Sequence, residues 1–144
     1  MNRPAADPFT PPSARAGSRR SVVAGRVLST LVALMLTLDA VGKLLRVQEV
    51  LDGTAQLGYS TSLVAPIGAT LLICVAIYAV PRTAFPGAVL LTAYLGGAVA
   101  THVRVGNPLL THVLTPAYLG IALWLGLYLR DATLRALVFS RRES

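Results

Sequence analysis

The chain has 144 residues, of which 54% are hydrophobic and 13% are charged. A soluble domain carries about 25% charged residues, and a short chain has proportionally more surface to cover with them, so the composition argues against a water-soluble protein. A net charge of +7 could favour binding to nucleic acid, but the basic residues lie toward the two termini and the middle of the chain is nearly free of charge. This distribution is typical of a membrane protein and argues against a nucleic-acid partner.

The first 21 residues are rich in Pro, Ala, Ser and Arg. Such a stretch buries too little apolar surface to offset its ordering entropy, which predicts a disordered basic tail over residues 1–21. Ser18-Arg19-Arg20-Ser21 before an apolar run also resembles a twin-arginine export signal, with Leu38-Asp39-Ala40 as its cleavage site. We favour an uncleaved membrane anchor, because the apolar run continues past Ala40 and Leu38 is too large for a position close before a cleavage site.

The middle of the chain contains four long apolar runs. A helix needs about 20 residues to cross a hydrocarbon core of roughly 30 Å, and a backbone in lipid must satisfy its own hydrogen bonds. The four predicted membrane helices are residues 22–45, 62–80, 83–103 and 109–129. We therefore expect an all-α fold: a four-helix antiparallel transmembrane bundle (up-down-up-down) over residues 22–130, followed by a basic tail over residues 131–144.

The connections between these helices support the antiparallel arrangement. Pro81-Arg82-Thr83 is too short for anything but a hairpin between the second and third spans, and Gly106-Asn107-Pro108 is a turn signal before the fourth. Residues 46–61 form the longest connection. Val47, Val50 and Leu51 share one helical face there, which predicts a short interfacial helix.

The positive-inside rule predicts the orientation. Ten of the 13 basic residues lie on one side of the predicted membrane. They are four in the N-terminal tail, three in the C-terminal tail, and Arg26, Arg82 and Arg130 at the adjoining helix ends. The other side holds Lys43, Arg46 and Arg104. The expected location is a bacterial inner membrane, with multiple passes and both termini in the cytoplasm.

A few ionisable side chains fall within or at the ends of the spans, where a charge costs about 2.5–3.5 kcal/mol at mid-depth. Asp39 and Lys43 are four residues apart on the first span, in the favourable order for a helical ion pair. His102 ends the third span, and the directions of the two helices place all three residues in the outer half of the bundle. This convergence predicts a polar pocket formed by Asp39, Lys43, Thr101 and His102, with Arg104, His112 and Tyr118 at its rim.

Two interpretations of these residues stay open. The pocket could bind a small molecule or relay a proton, with His102 as a group able to titrate near neutrality. Alternatively, the residues could snorkel and pair only to fix helix packing and topology. No nucleophile motif, phosphate loop or metal-ligand spacing is found, so the sequence predicts neither a catalytic site nor a metal site, and an enzyme acting alone is the less favoured interpretation.

Other features have structural explanations. Ala93, Gly97 and Thr101 recur at four-residue spacing, as do Gly96 and Ala100, which predicts a small face through which the third span approaches its neighbours closely. Cys74, the only cysteine, is expected to be inert packing. Trp124 lies too deep for an interfacial belt and is expected to pack against a neighbouring helix, whereas Tyr59 suits an interface.

Three segments carry a resemblance to a known family. They are Asp39-Ala40-Val41-Gly42-Lys43-Leu44, Leu57-Gly58-Tyr59, and the stretch from Tyr94 to Arg104 with its Gly-Gly-Ala-Val-Ala-Thr-His core. In order and spacing they resemble the DoxX-like family of small bacterial membrane proteins, over about residues 25–135. The resemblance implies a four-helix membrane bundle and makes Lys43, Thr101 and His102 candidate positions. Many relatives also carry a Glu on the second span, where this chain has Gly68-Ala69-Thr70-Leu71.

The resemblance also implies a function. The wider group includes a subunit of a thiosulfate:quinone oxidoreductase and a protein associated with oxidative-stress enzymes. We therefore expect an accessory protein that binds a small apolar or quinone-like molecule at the outer end of the bundle and supports a redox or stress-response partner. A quinone is implied by the resemblance alone, and no other cofactor is evident. The alternative is a structural or interaction protein without a ligand, and an oligomer stays open.

Overall fold

The computed structural model describes residues 12–135, with side chains from residue 19 onward, and every regular element in that range is helical. Five α-helices follow one another along the chain: α1 (Pro12–Leu44), α2 (Gln48–Gln56), α3 (Val64–Ala79), α4 (Ala84–Val105) and α5 (Leu114–Arg130). Single 3₁₀ turns precede α3 and α4, and a π-helical turn (Leu109–Val113) leads into α5.

Four of these helices, with their leading turns, are long and apolar enough to cross a membrane within the described part of the chain. The spans are Arg19–Leu44, Thr61–Ala79, Pro81–Val105 and Leu109–Arg130, with mean hydropathies between 1.4 and 2.1. The predicted four-helix transmembrane bundle is confirmed. The remaining helix, α2, is the short helix expected in the connection at residues 46–61.

The start of α1 differs from the prediction. The helix begins at Pro12, so residues 12–21 are helical where the sequence indicated a disordered tail. Proline is well tolerated in a first helical turn, because a backbone N–H at that position would have no partner within the helix. The alanines and arginines that follow are good helix formers. Residues 1–11 of that tail, and residues 136–144 of the C-terminal tail, lie outside the described residues.

The four spans form a ring. Helix α1 packs against α3 and α5, and α4 closes the ring by packing against the same two helices. Helices α1 and α4 therefore lie diagonally opposite each other across the centre. The end of the bundle that carries α2 is called the α2 end below, and the opposite end, near Arg19, Arg82 and Arg130, is called the terminal end.

Close helix crossings are made at glycines on three pairs of helices. A Cβ at Gly68 of α3 would lie 2.6 Å from Lys43 Cβ, and one at Gly87 of α4 would lie 2.4 Å from the Tyr78 backbone nitrogen. Gly126 of α5 is in equally close contact with Ser29 of α1. Because lipid offers no hydrophobic drive to associate helices, such close packing supplies much of the attraction between them.

The small face predicted on α4 has a different role. A Cβ at Gly96 or Gly97 would meet nothing within 4 Å, so these positions make no close helix crossing. The close approach of α4 to α3 occurs instead at Gly87, near the other end of the helix. The prediction was wrong because a run of small residues either admits a neighbouring backbone or leaves space, and its spacing alone does not distinguish the two.

A buried polar network joins three helices toward the terminal end. The Tyr78 hydroxyl donates a shared hydrogen bond to Ser29 Oγ (2.9 Å) and to the Leu123 carbonyl oxygen (3.1 Å). Tyr78 and Ser29 are 1% and 2% exposed. The Arg130 guanidinium lies over the Tyr78 ring at 4.8 Å and donates to the Tyr78 carbonyl oxygen. The sequence pattern gave no sign of this network, because its members are far apart along the chain.

Candidate functional site: a polar cavity at the α2 end

A cavity of about 630 Å³ lies at the α2 end, in the space between the diagonal helices α1 and α4. Four of its lining residues are the predicted pocket residues Asp39, Lys43, Thr101 and His102. The same cavity is lined by apolar side chains of all four spans, which are Met35, Leu36, Ile67, Leu95 and Leu119. The small residues of α4 explain the space: Ala93, Gly97 and Ala98 line the cavity as well.

Asp39 and Lys43 form an ion pair along one face of α1. The Lys43 ammonium donates a hydrogen bond to Asp39 Oδ1. The Lys43 side chain is 14% exposed and that of Asp39 is 47% exposed, so the cation is the more deeply placed partner. Gly68 of α3 lets Lys43 occupy this position, because any side chain there would collide with its Cβ.

Thr101 connects α4 to the segment that follows α2. Its hydroxyl donates to the Gly97 carbonyl oxygen of the preceding turn (2.9 Å) and lies 3.0 Å from the Tyr59 hydroxyl. Because Thr101 uses its only hydrogen within α4, the Tyr59 hydroxyl is the donor of this second bond. Tyr59 thus lines the cavity as well.

Two histidines line the same cavity. His102 Nδ1 lies 2.8 Å from the Asn107 amide nitrogen, and His112 Nδ1 lies 2.8 Å from Thr111 Oγ1. Their rings are 5.9 Å apart between centroids. An amide nitrogen can only donate, so His102 Nδ1 accepts, and the neutral ring carries its proton on Nε2. His102 is therefore held in an orientation and tautomer in which Nε2 is a hydrogen-bond donor.

The other two predicted rim residues lie away from the cavity lining. Arg104 donates from Nη2 to the Leu57 carbonyl oxygen at 2.7 Å. It also lies against Gly58, whose φ of +80° marks a left-handed turn that favours glycine. Arg104 thereby fixes the segment carrying Tyr59 to the end of α4. Tyr118 is 54% exposed on the outside of the bundle.

Several lining residues were missed by the sequence interpretation. Thr54 and Leu57, from α2 and the residue after it, cover the α2 end of the cavity together with Tyr59, and Tyr94 enters from α4. The helical period could have identified Tyr94, because it lies one and two turns before Ala98 and Thr101 on the same face. Nothing in the sequence placed Thr54 there, since its position depends on how α2 folds back on the bundle.

The cavity holds ionisable groups but lacks the components of an obvious catalytic centre. Among residues 12–135, no three His, Cys, Asp or Glu side chains are grouped closely enough to hold a metal ion. Cys74 is buried in the core between the helices and does not line the cavity. The groups that converge there, an ammonium, a carboxylate, imidazoles and hydroxyls, can bind and orient a polar headgroup and can exchange protons with it.

Comparison with known proteins gives one family and no individual relative. The sequence pattern of the DoxX-like family matches residues 27–126 of the chain. No curated protein and no solved structure gives a significant match. The matched segment extends from the first span to the fourth and includes every residue of the predicted pocket. The chain is a multi-pass membrane protein and belongs to the DoxX-like family.

Proposed function

We propose that the protein binds a small molecule with an apolar body and an acceptor headgroup, of the quinone type, in the cavity at the α2 end. One observation carries the proposal: α1 and α4, which lie diagonally in the bundle, place Lys43 and His102 around a single cavity of about 630 Å³. Ligand cavities are commonly 300–1,000 Å³, mostly apolar and furnished with a few polar groups that fix orientation. This cavity fits that description.

The hydrogen-bonding groups favour a ligand that accepts hydrogen bonds. Lys43 has three N–H donors and uses one on Asp39. His102 presents Nε2–H, because Nδ1 is occupied by Asn107. Carbonyl oxygens, as in a quinone, accept from such groups, and the apolar residues Leu36, Ile67 and Leu119 would contact the rest of the ring.

The proposal includes an orientation. Arg19, Arg20, Arg26, Arg82 and Arg130 lie toward the terminal end of the bundle, and the positive-inside rule puts that end in the cytoplasm. The cavity would then open on the extracytoplasmic side of the inner membrane. An accessory role toward a redox or stress-response protein rests on the family resemblance. Labelling of single cysteines placed at residues 61 and 82, in a Cys74→Ala background, by an impermeant thiol reagent on intact cells tests the orientation.

Binding is tested with the tail-less headgroup dimethoxy-methyl-benzoquinone as the probe. We expect Lys43→Met and His102→Ala each to weaken its binding to the purified protein in nanodiscs by about tenfold, the value of one hydrogen bond with a charged or well-placed donor. Lys43→Met keeps the apolar stem, so packing against Gly68 is preserved. Arg82→Ala, which removes a charge at the terminal end, is the matched control and should bind like wild type.

The structural alternative predicts a different result. If the polar residues only fix packing, the Lys43 and His102 variants lose thermal stability while any probe binding stays at the wild-type level. That outcome would remove the cavity as a ligand site.

A further inference from the structure

A second concave surface lies on the outside of the bundle. It is a groove of about 770 Å³ between α4 and α5, on the side of these helices that faces lipid in a bundle of this kind. Its lining is almost entirely apolar and includes Val99, Ile121, Leu125 and the small residues Gly96 and Gly120. We call it the α4/α5 groove.

Two polar side chains that line the groove toward the terminal end, Thr92 and Trp124, bond to each other. Trp124 Nε1 donates to Thr92 Oγ1 at 2.8 Å, and Thr92 in turn donates to the Ala88 carbonyl oxygen at 2.7 Å. The Trp124 ring is fixed from the other side by an edge contact with Phe85, 5.7 Å between centroids. With these groups satisfied, this part of the groove suits a hydrocarbon chain and not a headgroup.

The groove and the cavity at the α2 end share a wall. Leu95 of α4 and Pro116 of α5 line both of them. Both residues are buried, and each has one side toward the groove and one toward the cavity. The two spaces are therefore separated at this point by one layer of side chains.

Next to this wall, both helices lack some of the contacts that a regular, closely packed helix makes. Pro116 has no N–H to donate to the carbonyl group of His112, and the turn just before it, Leu109–Val113, is π-helical. On the α4 side, Gly96 and Gly97 have open space where a side chain would project. Leu95 and Pro116 are therefore the side chains that a ligand has to displace to pass from the groove to the cavity.

We propose that the ligand reaches the cavity from the bilayer between α4 and α5, and that its apolar tail lies in the α4/α5 groove while its headgroup lies between Lys43 and His102. The inference rests on the proposed function and narrows its ligand class to an amphiphile with a long hydrocarbon tail. The shared wall of Leu95 and Pro116 is the reason for this occupant, since neither an ordinary lipid chain nor a second protein copy needs a connection to the cavity.

The first experiment compares two probes that differ only in the tail: dimethoxy-methyl-benzoquinone, and the same ring with a decyl chain. A Cβ at Gly96 meets nothing within 4 Å, so Gly96→Leu projects an apolar side chain into the groove. It should weaken binding of the decyl probe by about tenfold, a common cost of overpacking, and leave binding of the tail-less probe unchanged. Gly96→Ala controls for helix propensity, and Ala76→Leu, on an exposed position of α3, controls for an added apolar side chain. Unchanged binding of the tail-less probe also shows that the variant is folded.

The second experiment uses Trp124, the only tryptophan of the chain, as a reporter within the groove. A decyl probe brominated near the end of its tail should quench Trp124 fluorescence in nanodiscs with a saturable dependence on probe concentration. Lys43→Met should shift that saturation to higher concentration, because the headgroup anchors the tail.

Three results would overturn the inference while leaving the proposed function in place. The first is an equal effect of Gly96→Leu on the binding of both probes. The second is quenching that rises without saturation and does not change in Lys43→Met, as expected if the tail lies in bulk lipid. The third is a changed oligomeric state of Gly96→Leu with both affinities intact, as expected if a second copy of the chain covers the groove. Failure of the proposed function looks different, because the wild-type protein would then bind neither probe.

Discussion

The Tyr59 hydroxyl donates a hydrogen bond to Thr101 Oγ1 at 3.0 Å and so joins the segment after α2 to α4 at the α2 end of the bundle. The bond spans 42 residues of sequence and lies beside the cavity that both residues line. Together with Arg104, which donates to the Leu57 carbonyl oxygen, it holds this segment over the α2 end of the cavity. Two hydrogen bonds to α4 therefore hold this segment over the cavity, one donated by the segment and one donated to it.

Removing the tyrosine hydroxyl should loosen that cover without unfolding the bundle. In Tyr59→Phe, Thr101 keeps its bond to the Gly97 carbonyl oxygen, so no buried donor is left unpaired. The free energy of unfolding should therefore fall by only about 0.5–1.5 kcal/mol. Hydrogen exchange should become faster at residues 57–63 and stay unchanged in α3. Tyr118→Phe, on the outer surface, is the control. Equal exchange in wild type and Tyr59→Phe would show that this bond does not restrain the segment.

Loss of the Arg104 side chain should affect the same segment from its other end. Arg104→Ala removes the donor to the Leu57 carbonyl oxygen and the contact with Gly58. We expect limited proteolysis within residues 57–61 to become several-fold faster, while thermal unfolding of the bundle shifts little, because an exposed hydrogen bond contributes about 1 kcal/mol. Arg82→Ala, at the other end of the molecule, is the matched control. Cleavage at the wild-type rate in Arg104→Ala would count against this role.

The sequence was sufficient for the features that lipid itself imposes. Long apolar runs must be helical in a bilayer, and alternating helix directions placed Asp39, Lys43 and His102 at one depth, where the structure has them lining one cavity. Tyr59 could not be placed in this way, because its approach to Thr101 depends on the left-handed turn at Gly58. The Tyr78–Ser29 contact was equally out of reach, since two unremarkable side chains 49 residues apart meet only once the helices are packed.

The Tyr78 network should be the largest single polar contribution to stability. Tyr78→Phe leaves Ser29 Oγ and the Leu123 carbonyl oxygen without their shared donor in a buried site, which costs about 1–3 kcal/mol. Thermal unfolding in detergent should therefore occur several degrees lower than in wild type. Binding of the benzoquinone probe at the far end of the bundle should be unaffected below the unfolding transition. A Tyr78→Phe protein as stable as wild type would mean that water or another donor replaces the hydroxyl.

Glycines that are identical in chemistry should differ in their tolerance of a methyl group. In Gly87→Ala the new Cβ would lie 2.4 Å from the Tyr78 backbone nitrogen, so α3 and α4 must move apart, at a cost of about 1–3 kcal/mol. In Gly96→Ala the new methyl group meets nothing within 4 Å, and the higher helix propensity of alanine should leave stability unchanged or raise it by up to about 1 kcal/mol. The pair is compared by thermal unfolding in one detergent. Equal unfolding temperatures would show that α3 and α4 do not cross as closely at Gly87 as the structure has them, and that the separation between these helices is set elsewhere.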